Sequence, residues 1–133
     1  MISAVDTSVL LDVLCDDPDH AKDSAALVRR AMEEGQLVVC ETVIAELRPA
    51  LGEEDLLCFL RDWRIEFVPN SLESALLAGR HFFEYVNRGG PAKRVLPDFL
   101  VGAHALTHAE RLLARDRGYL RDYFKKLKVE SGP

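Results

Sequence analysis

The sequence predicts an α/β protein with three layers, in which a central, mainly parallel sheet of about four to five strands is covered by helices. Short apolar segments typical of buried strands alternate with longer segments whose apolar residues recur at helical spacing. Strands joined through helices run parallel in one sheet. No repeat, low-complexity tract or linker-like composition interrupts the 133 residues, so we expect a single domain over 1–133.

The first half of the chain alternates three predicted strands with four predicted helices. Ile2, Ala4 and Val5 form a short buried strand, and Val9 and Leu10 begin a helical pattern. Pro49 should end or kink the third helix. After the first helix the segments are, in order, a helix in "DPDHAKDSAALVRRAMEEG", a strand in "QLVVC", helices in "ETVIAELRPAL" and "EDLLCFLRDW", and a strand in "IEFVP".

The second half begins with a long helix in "SLESALLAGRHFFEYVNRGG", which Ser71 or Ser74 opens and the pair Gly89 and Gly90 closes. Pro97 is expected at the first position of the next helix. The remaining segments are that helix in "LPDFLVGAHALTHA", a strand in "ERLLARD" that ends at Asp116, a helix in "GYLRDYFKK" and a closing strand in "LKV".

The composition is that of a globular protein of a reducing compartment. Cys15, Cys40 and Cys58 lie in apolar segments, and their odd number predicts buried free thiols rather than disulfides. No stretch approaches the ~20 apolar residues of a membrane span, and the N-terminus lacks the basic region of an export signal. We therefore expect a cytoplasmic protein that does not enter a membrane.

The charge is distributed unevenly along the chain. The net charge is −5, yet residues 111–128 hold seven basic and two acidic side chains, a local balance of +5. A basic segment of this kind is suited to a phosphate backbone, although a solvated helix face has the same composition.

Four acidic residues fall where the predicted fold gathers ligands. In parallel α/β sheets, ligands bind beyond the carboxyl ends of the strands. Asp6 and Asp116 each end a predicted strand, Asp98 lies in the first turn of a helix, and Glu46 lies about one turn into another. Asp6 alone would be explained by the charge preference of a helix N-terminus capped by Thr7 or Ser8. Together, the four carboxylates are expected to converge.

Convergent carboxylates need a compensating cation, because each negative charge disfavours the others. Mg²⁺ or Mn²⁺ prefers carboxylate and water oxygens together with substrate phosphate oxygens. Such a cation activates water and stabilises charge on the scissile phosphate. The acids therefore favour metal-dependent hydrolysis of phosphodiester bonds.

The segments "AVDTSVLLD", "VIAEL", "LPDFLVGAHA" and "LLARDRGYLRDYF" resemble, in order and spacing, the motifs of the PIN-domain ribonucleases, and the match is similar to the VapC-type toxins of toxin–antitoxin pairs. The resemblance covers essentially the whole chain. It implies a PIN-like fold and an endoribonuclease that cuts single-stranded or loop RNA with Mg²⁺ or Mn²⁺. Growth arrest and RNA maturation both stay open as its biological role.

The resemblance also implies roles for individual residues. Asp6 and Asp98 match expected metal ligands, and Glu46 matches a ligand or a residue that orients water. Asp116 matches the last acid, which contributes directly or through water. The chain departs from many relatives at Ala114, where they carry a threonine whose hydrogen bond supports this corner of the site.

Further side chains are expected around these acids. The hydroxyl of Thr7 or Ser8 should donate to a ligand carboxylate or a water. RNA phosphates are expected to contact three arginines near the acids, namely Arg94, Arg115 and Arg117. From the resemblance alone, a VapB-type antitoxin would cross the active-site groove and the toxin would form a homodimer.

Two other interpretations remain open. His104 and His108 stand four residues apart, the spacing of a zinc-binding pair, but Ala105 occupies the position of the catalytic glutamate of zinc proteases, which favours histidines at the helix surface or core edge. A non-catalytic PIN-fold module that binds RNA or protein would retain the same acids. Loss of RNA cleavage on Asp98→Asn would separate this module from the enzyme.

Overall fold

A computed structural model describes residues 1–90, 95–115 and 122–131, and these residues contain a five-stranded sheet. The order across the sheet is β3-β2-β1-β4-β5, and each neighbouring pair is parallel. The predicted α/β fold with a parallel sheet is therefore confirmed. The strands are β1 (Ile2–Val5), β2 (Gln36–Val39), β3 (Ile65–Phe67), β4 (Arg111–Leu113) and β5 (Val129–Glu130).

Helices flank this sheet in an α/β/α arrangement. Ser71 caps the longest of them, as predicted, in a capping box with Ser74. Pro97 lies one residue later in its helix than predicted, because that helix begins at Leu96. The helices within the described part of the chain are α1 (Thr7–Leu14), α2 (Ala21–Glu34), α3 (Glu41–Leu47), α4 (Glu53–Asp62), α5 (Leu72–Asn87) and α6 (Leu96–His108).

The core lies between the central strands and the helices. Val5 of β1 and Leu113 of β4 are opposite each other in the sheet and are fully buried. On one side of the sheet, α5 packs along α6, and Phe99 of α6 contacts Phe124 with ring centroids 5.9 Å apart. Each large apolar side chain buried in this way stabilises the fold by about 1.5 to 3 kcal/mol. The central strand β1 is covered by this core and pairs with β2 on one edge and with β4 on the other.

Two of the three cysteines are not core residues. Cys40 is buried, and its burial raises the pKa of its thiol. Cys15 and Cys58 are exposed, so the expectation that all three are buried is wrong for these two. Cys15 follows the last residue of α1, and Cys58 lies on the outer face of amphipathic α4, where an apolar neighbourhood in sequence does not mean burial.

The last strands differ in extent from the prediction. β4 ends at Leu113 rather than at Asp116, because its partner β1 ends at Val5, where the chain turns into α1. β5 comprises Val129 and Glu130, slightly later than predicted. Of the predicted helix in "GYLRDYFKK", residues 118–121 lie outside the described residues, and residues 122–123 are helical. None of the helices in the described part of the chain is both long and apolar enough to cross a bilayer.

Candidate active site

The turn between β1 and α1 lies at the carboxyl end of the sheet, at the point where the strand order reverses. From β1 the chain proceeds to β2 and β3 on one side, and β4 and β5 are added on the other. Ligands of open α/β sheets bind at such a reversal. The backbone N–H of Asp6 donates to the carbonyl of Leu113 at 2.9 Å, which fixes the start of the turn against β4.

Asp6 is buried at this turn, with 3 % of its surface exposed. It is itself the N-cap of α1, whereas the sequence left Thr7 or Ser8 as the capping residue. Its Oδ2 accepts hydrogen bonds from the Ser8 hydroxyl at 2.6 Å and from the Ser8 backbone N–H at 3.4 Å. Ser8 therefore fixes the orientation of the Asp6 carboxylate.

Glu46 reaches the same turn from α3, which packs against α1. The hydroxyl of Thr7 donates to Oε1 of Glu46 at 2.7 Å, and Glu46 is otherwise exposed. Two neighbouring hydroxyls thus orient two candidate carboxylates that lie far apart in sequence. The structure brings Asp6 and Glu46 together through Thr7 and Ser8, and the role of these hydroxyls beside a metal stays a prediction.

Asp98 lies in the first turn of α6 and is half-buried. Helix α6 packs against β1 and α3, so the elements that carry Asp6, Glu46 and Asp98 contact one another. Within residues 1–90, 95–115 and 122–131, however, three or more acidic, histidine or cysteine side chains do not form a closed cluster that would hold a metal ion. Asp116 lies outside the described residues.

The donor chemistry of this region matches a hard divalent cation. Carboxylate oxygens are the ligands that Mg²⁺ and Mn²⁺ prefer, and a metal ligand is usually held by a hydrogen bond from a neighbouring group. Asp6 has such a donor in Ser8, and Glu46 has one in Thr7. The three described acids therefore fit the expected metal by chemical type.

A second carboxylate of α1, which the sequence did not single out, is buried beside the turn. Asp12 accepts a hydrogen bond from the Ser24 hydroxyl of α2 at 2.7 Å and forms an ion pair with Arg115, whose Nη2 lies 3.0 Å from Oδ1. The position of Asp12 on the inner face of α1 was readable from helical periodicity, but its partners were not.

Of the three arginines expected to bind RNA, only Arg115 is described; Arg94 and Arg117 lie outside the described residues. The Arg115 side chain is 45 % exposed while it pairs with Asp12. Ala114, the departure from the family motif, is fully buried, and its N–H donates to the carbonyl of Glu130 at 3.0 Å. No hydroxyl is therefore supplied at position 114.

The histidine pair is held by the protein interior. His104 is buried, and its Nε2 donates to the carbonyl of Val68 at 2.7 Å. The rings of His104 and His108 are 5.2 Å apart, and Nε2 of His108 lies 3.4 Å from the Ser74 hydroxyl. Burial lowers the pKa of His104, and the nearby His108 lowers it further. These contacts favour structural histidines over a zinc pair.

Another acid at the carboxyl end of the sheet was also missed. Glu41 opens α3 directly after β2, and its carboxylate accepts hydrogen bonds from the backbone N–H of Asn70 at 3.0 Å and from the Asn70 side chain at 2.9 Å. Partial burial raises the pKa of Glu41, but the hydrogen bonds from Asn70 outweigh it, and the pKa is lowered. The strand-end rule that selected Asp6 would also have selected Glu41.

Comparison with known proteins gives one family and several structural neighbours. The sequence profile of the PIN domain matches residues 4–125. A search of curated proteins gives no match.

Three solved structures share the fold over nearly the whole chain. A chain of VapBC2 from Rickettsia felis, bound to a DNA fragment from the promoter, is 18 % identical with a TM-score of 0.73, and the match covers 100 % of both chains. A chain of VapBC-1 from nontypeable Haemophilus influenzae is 17 % identical with a TM-score of 0.71, over 98 % of each chain. A chain of DNA-bound VapBC from Salmonella typhimurium is 16 % identical with a TM-score of 0.67, again over 98 % of each.

Proposed function

The chain belongs to the PIN-domain family, and from that premise we propose that it is a metal-dependent endoribonuclease, the toxin of a VapBC-type pair. One observation carries the proposal. At the reversal point of the sheet, Asp6 is held by Ser8 and Glu46 is held by the adjacent Thr7, so two oriented carboxylates flank one turn. The likeness to chains of VapBC structures supports the toxin assignment.

Asp6, Glu46 and Asp98 would hold Mg²⁺ or Mn²⁺, with Asp116 as the fourth acid. When bound, the cation supplies a Lewis acid that stabilises charge on the scissile phosphate and lowers the pKa of the attacking water.

The residues of the chain supply orientation and charge. Asp6 caps α1, where the helix dipole favours a negative group, and the Ser8 hydroxyl restricts the rotation of its carboxylate. Glu46 is exposed, so its second oxygen would accept a hydrogen bond from water beside a bound RNA phosphate. Thr7 holds Oε1 of Glu46 for this task.

An antitoxin partner is supported by an apolar groove between α3 and α4. Helices α3 and α4 line this open groove, which has a volume of about 300 Å³, and Leu57 of α4 is largely exposed. We propose that an apolar segment of a VapB-type antitoxin occupies this groove and continues towards the acids. The residues that line the groove are Ile44, Ala45, Arg48, Glu53, Leu56 and Leu57.

A homodimer is supported by a row of exposed apolar residues on α5. Leu72, Leu76 and Phe83 lie at helical spacing and are each more than half exposed. A second copy of the chain would bury this row. Light scattering of the purified protein should give twice the chain mass, and Leu76→Glu should give the mass of one chain.

The function is tested by incubating purified, antitoxin-free protein with total RNA and Mg²⁺ or Mn²⁺, and by mapping the new 5′ ends. We expect discrete cuts that disappear with EDTA and in Asp98→Asn. The matched control is Asp55→Asn, which removes an exposed acid of α4 and should cut like the wild type. Absence of cutting by folded wild-type protein at every metal concentration would overturn the nuclease and favour the binding module.

A further inference from the structure

Asp12 is a buried charge that the proposed reaction does not use. Only 2 % of its surface is exposed, and it lies on α1 between α2 and the segment that follows β4. A carboxylate removed from water is tolerated when it is paired and hydrogen-bonded. Arg115 supplies the pairing charge and Ser24 supplies the hydrogen bond, so Asp12 is committed to holding these two residues in place.

Arg115 contacts the candidate active site through its backbone. Its guanidinium pairs with Asp12, while its N–H points to the Ser8 hydroxyl oxygen at 3.5 Å. The Ser8 hydroxyl has a single proton, and a backbone N–H only donates. The contact with Arg115 therefore favours the rotamer in which Ser8 gives its proton to Oδ2 of Asp6, which lies 2.6 Å away.

We propose that the Asp12–Arg115 ion pair is a positioning device for Asp6, acting through the Arg115 backbone and the Ser8 hydroxyl. The pair clamps the chain after β4 onto α1, and this clamp keeps the N–H of Arg115 against Ser8. Arg115 is then a positioning residue rather than a phosphate contact. The effect on catalysis rests on the proposed nuclease function, whereas the clamp itself does not.

Burial of Asp12 makes the two roles of Arg115 separable, because Asp12 is too buried to touch RNA. A phosphate contact by Arg115 predicts that Arg115→Gln raises KM and weakens the salt dependence, and that Asp12→Asn does neither. A positioning role predicts instead that both substitutions lower kcat by the same factor, about 10-fold to 100-fold, with KM and salt dependence unchanged.

The kinetic experiment compares Asp12→Asn, Arg115→Gln and the double variant on an RNA that the wild type cuts. We expect the double variant to lose no more kcat than either single variant, because both break one pair. Arg115→Lys should recover part of the loss, since it restores the charge without the guanidinium fork. Arg61→Gln is the matched control, because this arginine is 75 % exposed and pairs with Asp62 rather than with Asp12. A raised KM confined to Arg115→Gln would overturn the proposal.

A second experiment does not depend on activity. Amide hydrogen exchange of the wild type and Asp12→Asn should show the Arg115 amide exchanging about 10-fold faster in the variant, with the Asp6 amide, which is bonded to β4, unchanged. Titration with Mn²⁺ should show about 10-fold weaker binding. If Asp12→Asn fails to fold, Arg115→Lys takes its place in both measurements, with smaller changes of the same sign.

These measurements separate the two proposals. Failure of the wild type to cut RNA overturns the nuclease, while faster Arg115 exchange in the variant would still establish the clamp. Cleavage by the wild type together with unchanged exchange, Mn²⁺ binding and kcat in Asp12→Asn would overturn the positioning device and leave the nuclease in place.

Discussion

At the two ends of the parallel sheet, carboxylates accept hydrogen bonds from different kinds of donor. At the amino end, Arg111 is buried at the start of β4 and its guanidinium binds Glu34 at 3.1 Å, Glu130 at 2.8 Å and the Ser3 hydroxyl at 2.7 Å. At the carboxyl end, Asp6 and Glu46 accept hydrogen bonds from hydroxyls. A guanidinium neutralises a carboxylate as it holds it, whereas a hydroxyl orients a carboxylate and adds no positive charge.

We expect this difference to separate a structural end of the sheet from the end proposed to carry the function. Arg111 joins α2, β1, β4 and β5, and its guanidinium supplies a cation to both Glu34 and Glu130. Among the described contacts, Asp6 and Glu46 accept hydrogen bonds from the neutral hydroxyls of Ser8 and Thr7. Substitutions at the amino end should therefore cost stability, and substitutions at the carboxyl end should cost activity.

The largest effect is expected from Asp6→Asn, which removes charge from the carboxyl end but keeps the N-cap. RNA cleavage should fall by more than the roughly 100-fold that residues supporting a metal ligand contribute. The free energy of unfolding should change by less than about 1 kcal/mol, because Asn and Asp cap helices equally well. Cleavage rates and urea unfolding measure the two quantities. If Asp6→Asn lost stability but retained RNA cleavage, the expectation that the carboxyl end serves activity would be wrong.

The second largest effect is expected from Arg111→Met at the amino end. The side chain of Arg111 is 4 % exposed, so its loss leaves a hydroxyl and two partly solvated carboxylates without their shared partner. We expect a loss of about 3 kcal/mol in the free energy of unfolding. Cleavage by the folded fraction should stay at the wild-type rate.

Urea unfolding of Arg111→Met is best compared with that of Arg61→Met. The described partners of Arg61 are its exposed neighbour Asp62 and the sulfur of Cys58, also exposed, so its loss should cost less than about 0.5 kcal/mol. Equal losses in the two variants would show that the amino end does not depend on its buried arginine.

A smaller effect is expected from Thr7→Val, which keeps the volume of a buried side chain and removes the donor to Glu46. Cleavage should fall about 10-fold, while the free energy of unfolding should fall by about 1 kcal/mol. Thr42→Val serves as the control. Thr42 lies on α3, the helix that carries Glu46, and among the described contacts it has no hydrogen bond to a candidate acid. Unchanged cleavage in Thr7→Val would remove Thr7 from the site.

The smallest effect concerns the pH dependence of stability, which depends on the buried His104 of α6. Burial lowers the pKa of His104 below its ordinary value of 6.5, so the unfolded chain binds the proton first as the pH falls. The stability due to the neutral ring is therefore complete above pH 6.5 and is lost as the pH falls from 6.5 towards the lower pKa of the folded state. Urea unfolding between pH 8 and pH 5 should show a shallower decline in His104→Gln than in the wild type.

The sequence predicted those parts of the fold that depend on local chemistry. Ser71 opens α5 because its side chain caps the helix, and α3 ends two residues before Pro49. The buried strands were visible as apolar runs, and their alternation with helices determined the parallel sheet. The turn that carries Asp6 followed from the change of periodicity from strand to helix.

Other features depend on packing between distant segments and were not predicted. The partnership of Asp12 with Arg115 joins residues that no local pattern connects, and the exposure of Cys58 depends on how α4 is rotated against the sheet. The extent of β4 is determined by where its neighbour β1 ends. Contacts of this kind arise from tertiary structure alone, and they include the connection proposed to position Asp6.

The central position of β1 has a consequence for the order in which the protein is made. β1 precedes the other described strands of this sheet in the chain, yet one of its two neighbours is β4, and the carbonyl that anchors the Asp6 turn belongs to Leu113. A nascent chain therefore carries Asp6 long before the strand that completes its surroundings has left the ribosome. The turn therefore acquires both of its neighbouring strands only after β4 has been synthesised, more than 100 residues after β1.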